Sequence, residues 1–132
     1  MRALDTNVLV RYLVVDDEAM ASRALRLFKE AEGLGEAFLV TTPVLLESLW
    51  VLRSKYRLLR RDIVQALERL LALPVLQFEE PSLVRELILG CRATDIDLAD
   101  LLIGLHAKSL GADTILTFDV KAARSRLFEE IP

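Results

Sequence analysis

Acidic side chains are the groups in this sequence best placed to do chemistry together. The chain has one histidine, His106, and one cysteine, Cys91. Paired-imidazole catalysis within one chain is therefore excluded, and any Ser-His-Asp or Cys-His arrangement would have to run through that single ring. No CxxC or Cys/His spacing for a soft metal exists, and nothing matches the glycine-rich phosphate loops GxxxxGK or GxGxxG. Carboxylates recur in a pattern instead. Asp5 closes the short apolar opening, and Glu47 follows the apolar run Phe38–Thr41. Asp97 and Asp100 lie one helical turn apart, and Asp119 stands two residues beyond Thr117.

Two carboxylates about 4 Å apart repel by roughly 4 kcal/mol at an effective dielectric of 20. Gathering several requires positive charge between them. Hard divalent cations such as Mg²⁺ or Mn²⁺ supply it and prefer oxygen ligands. Such a centre lowers the pKa of a bound water and stabilises charge on a phosphodiester oxygen. It needs neither histidine nor cysteine.

These residues act together only if the elements bearing them converge. Arg2–Asp5 reads as a short strand ending in a cap-like Asp5-Thr6-Asn7, followed by apolar Val8–Val15. Asp16-Asp17-Glu18 opens a helix whose Met20, Ala24, Leu27, Phe28 and Ala31 recur at helical steps, stopped by Gly33 and Gly35. Phe38–Thr41 reads as a strand buried on both faces. Thr42 and Pro43 read as N-cap and first residue of a helix running to about Lys55. Helices are further expected over Arg61–Leu73, Pro81–Arg92 and Asp97–Leu110, the last closed by Gly111. Strands are expected at Val75–Phe78 and Thr114–Thr117, with a short helix around Ala122 and Ala123. Short, unalternating apolar strands between helices predict an α/β fold, a three-layer sandwich with a short, mostly parallel central sheet flanked by helices. Ligands in such sheets collect beyond the strands' carboxyl ends, where Asp5, Glu47 and Asp119 fall.

Composition fits one domain over residues 1–132. Hydrophobic residues make up 53% and charged residues 28%, with 5 glycines and 4 prolines, which excludes a disordered or collagen-like chain. Mean hydropathy is +0.35, yet the longest charge-free run, Ala37–Leu46, falls far short of the roughly 20 residues of a spanning helix. No signal-peptide pattern is visible, and the lone cysteine points to a reducing cytoplasm. The net charge of −3 gives no bulk attraction to nucleic acid, so any such binding must use a local patch.

Each acidic residue also has a plainer explanation. Asp5 suits a helix cap, Asp97 and Asp100 suit a helix N-terminus, and Asp119 suits a turn. Glu47 lies among Leu45, Leu46, Leu49 and Trp50, where an unpaired carboxylate would be costly; this favours a ligand role.

The motifs resemble those of a known family. Leu4-Asp5-Thr6-Asn7-Val8-Leu9-Val10 resembles the opening of PIN-domain proteins, and Asp97-Leu98-Ala99-Asp100-Leu101-Leu102-Ile103 resembles their third-carboxylate helix. Gly111–Asp119 resembles their last strand and fourth carboxylate, and Glu47 falls where the family has its second. The resemblance spans essentially the whole chain. It implies a Mg²⁺- or Mn²⁺-dependent ribonuclease most like the VapC toxins of prokaryotic toxin–antitoxin pairs, in which a metal-activated water attacks an RNA phosphodiester. By this analogy Asp5, Asp100 and Asp119 are direct metal ligands and Glu47 acts through water, while Thr6, Asn7 and Thr117 support them. It further implies a homodimer silenced by a small antitoxin protein.

Positive charge for RNA is concentrated at Arg53, Lys55, Arg57, Arg60 and Arg61, with Arg11 and Lys121 as further candidates. The helix dipole alone also favours basic residues at a helix C-terminus. His106 is expected as a packed or rim residue and Cys91 as a small buried hydrophobe. Trp50 is expected in the core or facing a partner. The alternative function is a PIN-like module that binds RNA or protein without cutting. A haloacid-dehalogenase-type phosphatase is disfavoured, because Asn7 stands where that chemistry needs a second aspartate.

Overall fold

Every strand pairing in the molecule is parallel, so helices or turns must return the chain between neighbours. A computed structural model describes residues 1–132, and the chain divides into two units, Met1–Pro81 and Ser82–Pro132.

In the first unit β1 (Arg2–Ala3), β2 (Phe38–Val40) and β3 (Leu76–Phe78) form one sheet in that order. Arg2 pairs with Phe38, and Phe38 with Leu76. Helices α1 (Thr6–Leu13) and α2 (Glu18–Gly33) connect β1 to β2, and α3 (Thr42–Ser54) and α4 (Arg60–Leu71) connect β2 to β3. The expected burial on both strand faces holds best for central β2, where Phe38 and Val40 are buried and Leu39 is half-buried. At the sheet's edges β1 is exposed, and β3 alternates, with Gln77 exposed between buried Leu76 and Phe78. Leu9, Val10, Phe28, Leu49, Ile63 and Leu70 are among the buried helical residues. The Phe28 ring lies 4.7 Å from that of Tyr12 and 5.9 Å from that of Phe38, centroid to centroid, within the range of favourable tilted aromatic contacts.

Helix starts explain several boundaries. Asp17 caps α2 by accepting from the Met20 N–H at 3.0 Å. Helix α3 departs from expectation, since Thr41 occupies the N-cap position without a side-chain cap bond and Thr42 is already helical. The acceptor comes from elsewhere in the chain. Parallel pairing sets Glu79 beside the end of β2, its N–H donating to the Val40 carbonyl at 2.9 Å. From there Glu79 Oε1 accepts from the Thr42 N–H at 3.0 Å. A carboxylate at a helix N-terminus satisfies an otherwise unpaired donor and complements the dipole.

The second unit carries most of α5 (Pro81–Gly90), which begins at the unit boundary, then α6 (Leu98–Ser109), β4 (Ile115–Thr117), a 3₁₀ turn (Ala122–Arg124) and β5 (Phe128–Glu130). β4 and β5 pair in parallel, Ile115 opposite Phe128. The strands thus fall into two ladders, and β5 was not expected from its Phe-Glu-Glu sequence. Packing explains it. At Gly104 on α6, a Cβ would lie 3.0 Å from Phe128 Cε2 and 3.2 Å from Leu127 Cβ, so the missing side chain lets β5 lie against the helix. Gly111, at φ +101°, provides the left-handed turn that ends α6.

Replacing Glu79 with Ala is expected to lower unfolding stability by about 1 kcal/mol, the usual magnitude for a lost helix cap. Urea titration followed by circular dichroism checks this, and an unchanged midpoint would show that the cap contributes nothing.

Candidate active site

In the first unit the site begins where β1 ends. The buried Leu4 donates its N–H to the Leu39 carbonyl at 2.9 Å, which makes Asp5 the first residue past the ladder. Asp5 has extended backbone (φ −91°, ψ 171°) and caps α1, Oδ1 accepting from the Val8 N–H at 3.2 Å. The capping explanation is therefore correct but does not use up the carboxylate, which remains exposed. Asp5 borders two cavities. One, of about 380 Å³, is lined by Asp5, Thr6, Asn7 and Val10 on one side and Val44, Glu47, Val51, Lys55 and Tyr56 on the other. The second, of about 420 Å³, is lined by Asp5, Asn7, Val8 and Arg11 together with Met20, Arg23, Ala24 and Leu27 of α2.

Asp5 and Glu47 thus share a cavity although they are far apart in sequence. The surroundings of Glu47 correct the sequence-based expectation. Leu45, Leu49 and Leu52 are buried on the inner stripe of α3, whereas Pro43, Glu47 and Trp50 are exposed on the other side. Helical periodicity separates residues that are adjacent in sequence. Glu47 therefore bears little of the desolvation cost expected for it. Thr6 is buried and Asn7 exposed, both lining the cavity.

In the second unit Asp97 caps α6, Oδ1 accepting from Ala99 N–H at 2.9 Å and Asp100 N–H at 3.4 Å. Asp100 follows in the first turn and is half-buried. Burial is the main cause pushing its carboxyl above the ordinary range, followed by the negative charges of Asp97 and Asp119. Thr117, expected to support the carboxylates, instead bonds the backbone: its Oγ1 accepts from the Asp119 N–H at 2.9 Å. Asp119 Oδ1 in turn accepts from Lys121 N–H at 2.9 Å and Ala122 N–H at 3.2 Å.

No three carboxylate, imidazole or thiol groups are clustered as a ready-made metal cage. The donor chemistry nevertheless fits a hard divalent ion, since the available groups are carboxylate, amide and hydroxyl oxygens.

The basic candidates differ in their surroundings. Lys55 lines the Asp5–Glu47 cavity, with Nζ 5.4 Å from the Tyr56 ring centroid. Arg53 Nη1 donates to the Leu58 carbonyl at 3.2 Å. Arg57 and Arg61 are exposed and Arg60 is half-buried. Arg57 takes a left-handed φ of +53° in the turn after α3. Lys121 lies 4.0 Å from Asp95. Arg11 pairs with Asp16, whose Oδ2 also accepts from the Tyr56 hydroxyl at 2.9 Å. Asp16 and Tyr56 were not among the sequence candidates; they are too far apart in the chain for spacing to connect them. His106 is half-buried, as is Cys91, whose Sγ donates to the Ile88 carbonyl at 2.8 Å. Trp50 is exposed.

The family model of the PIN domain matches residues 2–126. A VapC ribonuclease of Aquifex aeolicus (strain VF5) is 27% identical over 118 residues, covering 89% of this chain and 87% of that protein. No solved structure gives a significant match.

The raised carboxyl of Asp100 sets a sign for stability. Its anion is disfavoured in the fold, so the penalty is present at neutral pH and absent below the ordinary value of 3.8. Asp100→Asn in EDTA should therefore raise Tm at pH 7, with the gain shrinking as pH falls toward 3.8. Scanning calorimetry across this range checks it, and a lower Tm at pH 7 would contradict it.

Proposed function

This chain belongs to the PIN domain family, and from that premise we propose that it is a VapC-type, Mg²⁺- or Mn²⁺-dependent endoribonuclease, the toxin of a toxin–antitoxin pair. The observation that carries the reading is the cavity in which Asp5 and Glu47 meet beside Asn7 and Lys55. Asp5, Asp100 and Asp119 are the proposed metal-holding residues, with Glu47 acting through water. When bound, the cation supplies charge neutralisation, an acidified water and stabilisation of negative phosphoryl oxygens.

The remaining work falls to the chain itself. The Val8 N–H holds one Asp5 oxygen and so orients the carboxylate without neutralising it. The Lys121 and Ala122 N–H groups hold one Asp119 oxygen in the same way, while Thr117 accepts from the Asp119 backbone N–H and fixes the turn. Lys55 brings a cationic group to the cavity that Asp5 and Glu47 share, and a phosphodiester entering there meets cation and carboxylates together. Arg53, Arg57, Arg60 and Arg61 extend this positive character along the chain, supplying affinity without sequence choice. The VapC ribonuclease relative supports RNA as substrate, and a small antitoxin protein is the proposed partner. A cytoplasmic homodimer completes the proposal, and no helix is long and apolar enough to cross a membrane. The match over residues 2–126 supports reading both units as parts of one domain.

Asp5→Asn is expected to reduce Mg²⁺-dependent cleavage of single-stranded RNA by more than about 100-fold, above the 10–100-fold typical of residues that only support a ligand. EDTA should abolish wild-type cleavage. Gel assays check both, and a wild type that binds RNA without metal-dependent cutting would favour the non-catalytic module. The double substitution Arg57→Ala, Arg61→Ala should weaken RNA binding more at low salt than at high salt. Fluorescence anisotropy measures this, and equal losses at both would point to misfolding.

A further inference from the structure

Asp16 lies in the link between α1 and α2 and uses its two carboxylate oxygens on two different partners. Oδ1 pairs with Arg11 of α1, and Oδ2 accepts from the Tyr56 hydroxyl at 2.9 Å, just past α3. Each partner lines a different cavity. Arg11 borders the one that Asp5 shares with Arg23, and Tyr56 borders the one that Asp5 shares with Glu47 and Lys55. One carboxylate outside both spaces therefore fixes a side chain in each.

We propose that Asp16 is a positioning residue for substrate, presenting Arg11 to a backbone phosphate on one side of Asp5 and the Tyr56 ring to a nucleobase on the other. The assignment rests on the ribonuclease reading and adds to it the path of the strand, which passes from one cavity to the other across Asp5.

Three observations carry it. The Arg11 side chain is only 19% exposed, so it is a held group rather than a freely mobile surface arginine. Asp16 engages its guanidinium at Nη1, and a planar fork held at one edge keeps further donors for a phosphate. On the other side, the bond from the Tyr56 hydroxyl fixes the far end of a half-buried ring's long axis, and flat aromatic walls accept bases of any identity. Ordering both side chains before substrate arrives removes an entropy cost from binding. The same bonds hold Asp16 below the usual carboxylate range, through Arg11 first and Tyr56 second. The clamp thus stays charged at neutral pH.

The test compares the wild-type chain with Asp16→Asn, Asp16→Glu, Tyr56→Phe and the Asp16→Asn, Tyr56→Phe double variant. Anisotropy in EDTA gives Kd for a short single-stranded RNA, and cleavage in Mg²⁺ gives KM and kcat. Asp16→Asn should raise Kd and KM by about 5- to 20-fold with a much smaller change in kcat, as expected for one charge-assisted contact. Tyr56→Phe should produce a smaller rise and add little to Asp16→Asn, because both break the same link. Asp16→Glu should recover part of the loss.

Wild-type Kd and KM in Asp16→Asn, or a fall confined to kcat, would overturn the assignment. So would full additivity of the two substitutions. If circular dichroism shows Asp16→Asn to be unfolded, Tyr56→Phe decides alone, since it removes a single hydroxyl; unchanged Kd and KM there would sink the proposal. A wild-type chain that neither binds nor cuts RNA defeats the ribonuclease reading itself. A wild type that cuts, alongside variants that match it, removes only the role of Asp16.

Discussion

A carboxylate accepting hydrogen bonds from the backbone at the start of a turn is oriented without losing its charge. Asp5, Asp97 and Asp119 are all held in this way, each by an N–H two or three residues further along the chain. The arrangement reconciles two demands that ordinarily conflict. Acidic groups must stay ionised to attract a cation, yet close neighbours of like charge repel. Partial positive charge on backbone N–H groups meets part of the cost. Asp100 carries the remainder: burial first, then the charges of Asp97 and Asp119, disfavours its anion.

Two further carboxylates serve architecture by linking elements distant in sequence. Glu79 reaches from the end of β3 to the start of α3, the helix that carries Glu47. Asp16 ties α1 to the residue that follows α3. Both act where side chains within the element supply no partner: Thr41 makes no cap bond, and Arg11 has no other ion pair. Such links set the relative placement of helices whose apolar stripes alone would tolerate sliding, because a hydrogen bond is directional and burial is not.

Much of this was legible before any coordinates. The alternation of short apolar runs with helical periodicities indicated parallel strands joined by helices, and the cap-like residues Asp5, Asp17 and Asp97 stand at helix starts. The departures have physical causes. Thr42 looked like a cap because threonine before proline commonly is one, but β3 delivers a stronger, charged acceptor one residue later. Glu47 looked buried because its neighbours are apolar, yet a helix turns successive residues about 100° apart and places it outside. β5 was invisible because two of its three residues are glutamates, and its place depends on the space left by Gly104.

The sequence by itself determined which residues are acidic, which stripes are apolar and where most helices begin, because these follow from side-chain chemistry and local periodicity. Tertiary structure alone decided that Glu47 shares a cavity with Asp5, that Glu79 caps a helix far from it in sequence, and that Asp16 joins Arg11 to Tyr56. Contacts of that kind depend on how strands pair and helices pack across long stretches of chain. No local pattern encodes the distance between two side chains whose separation is set by everything folded between them.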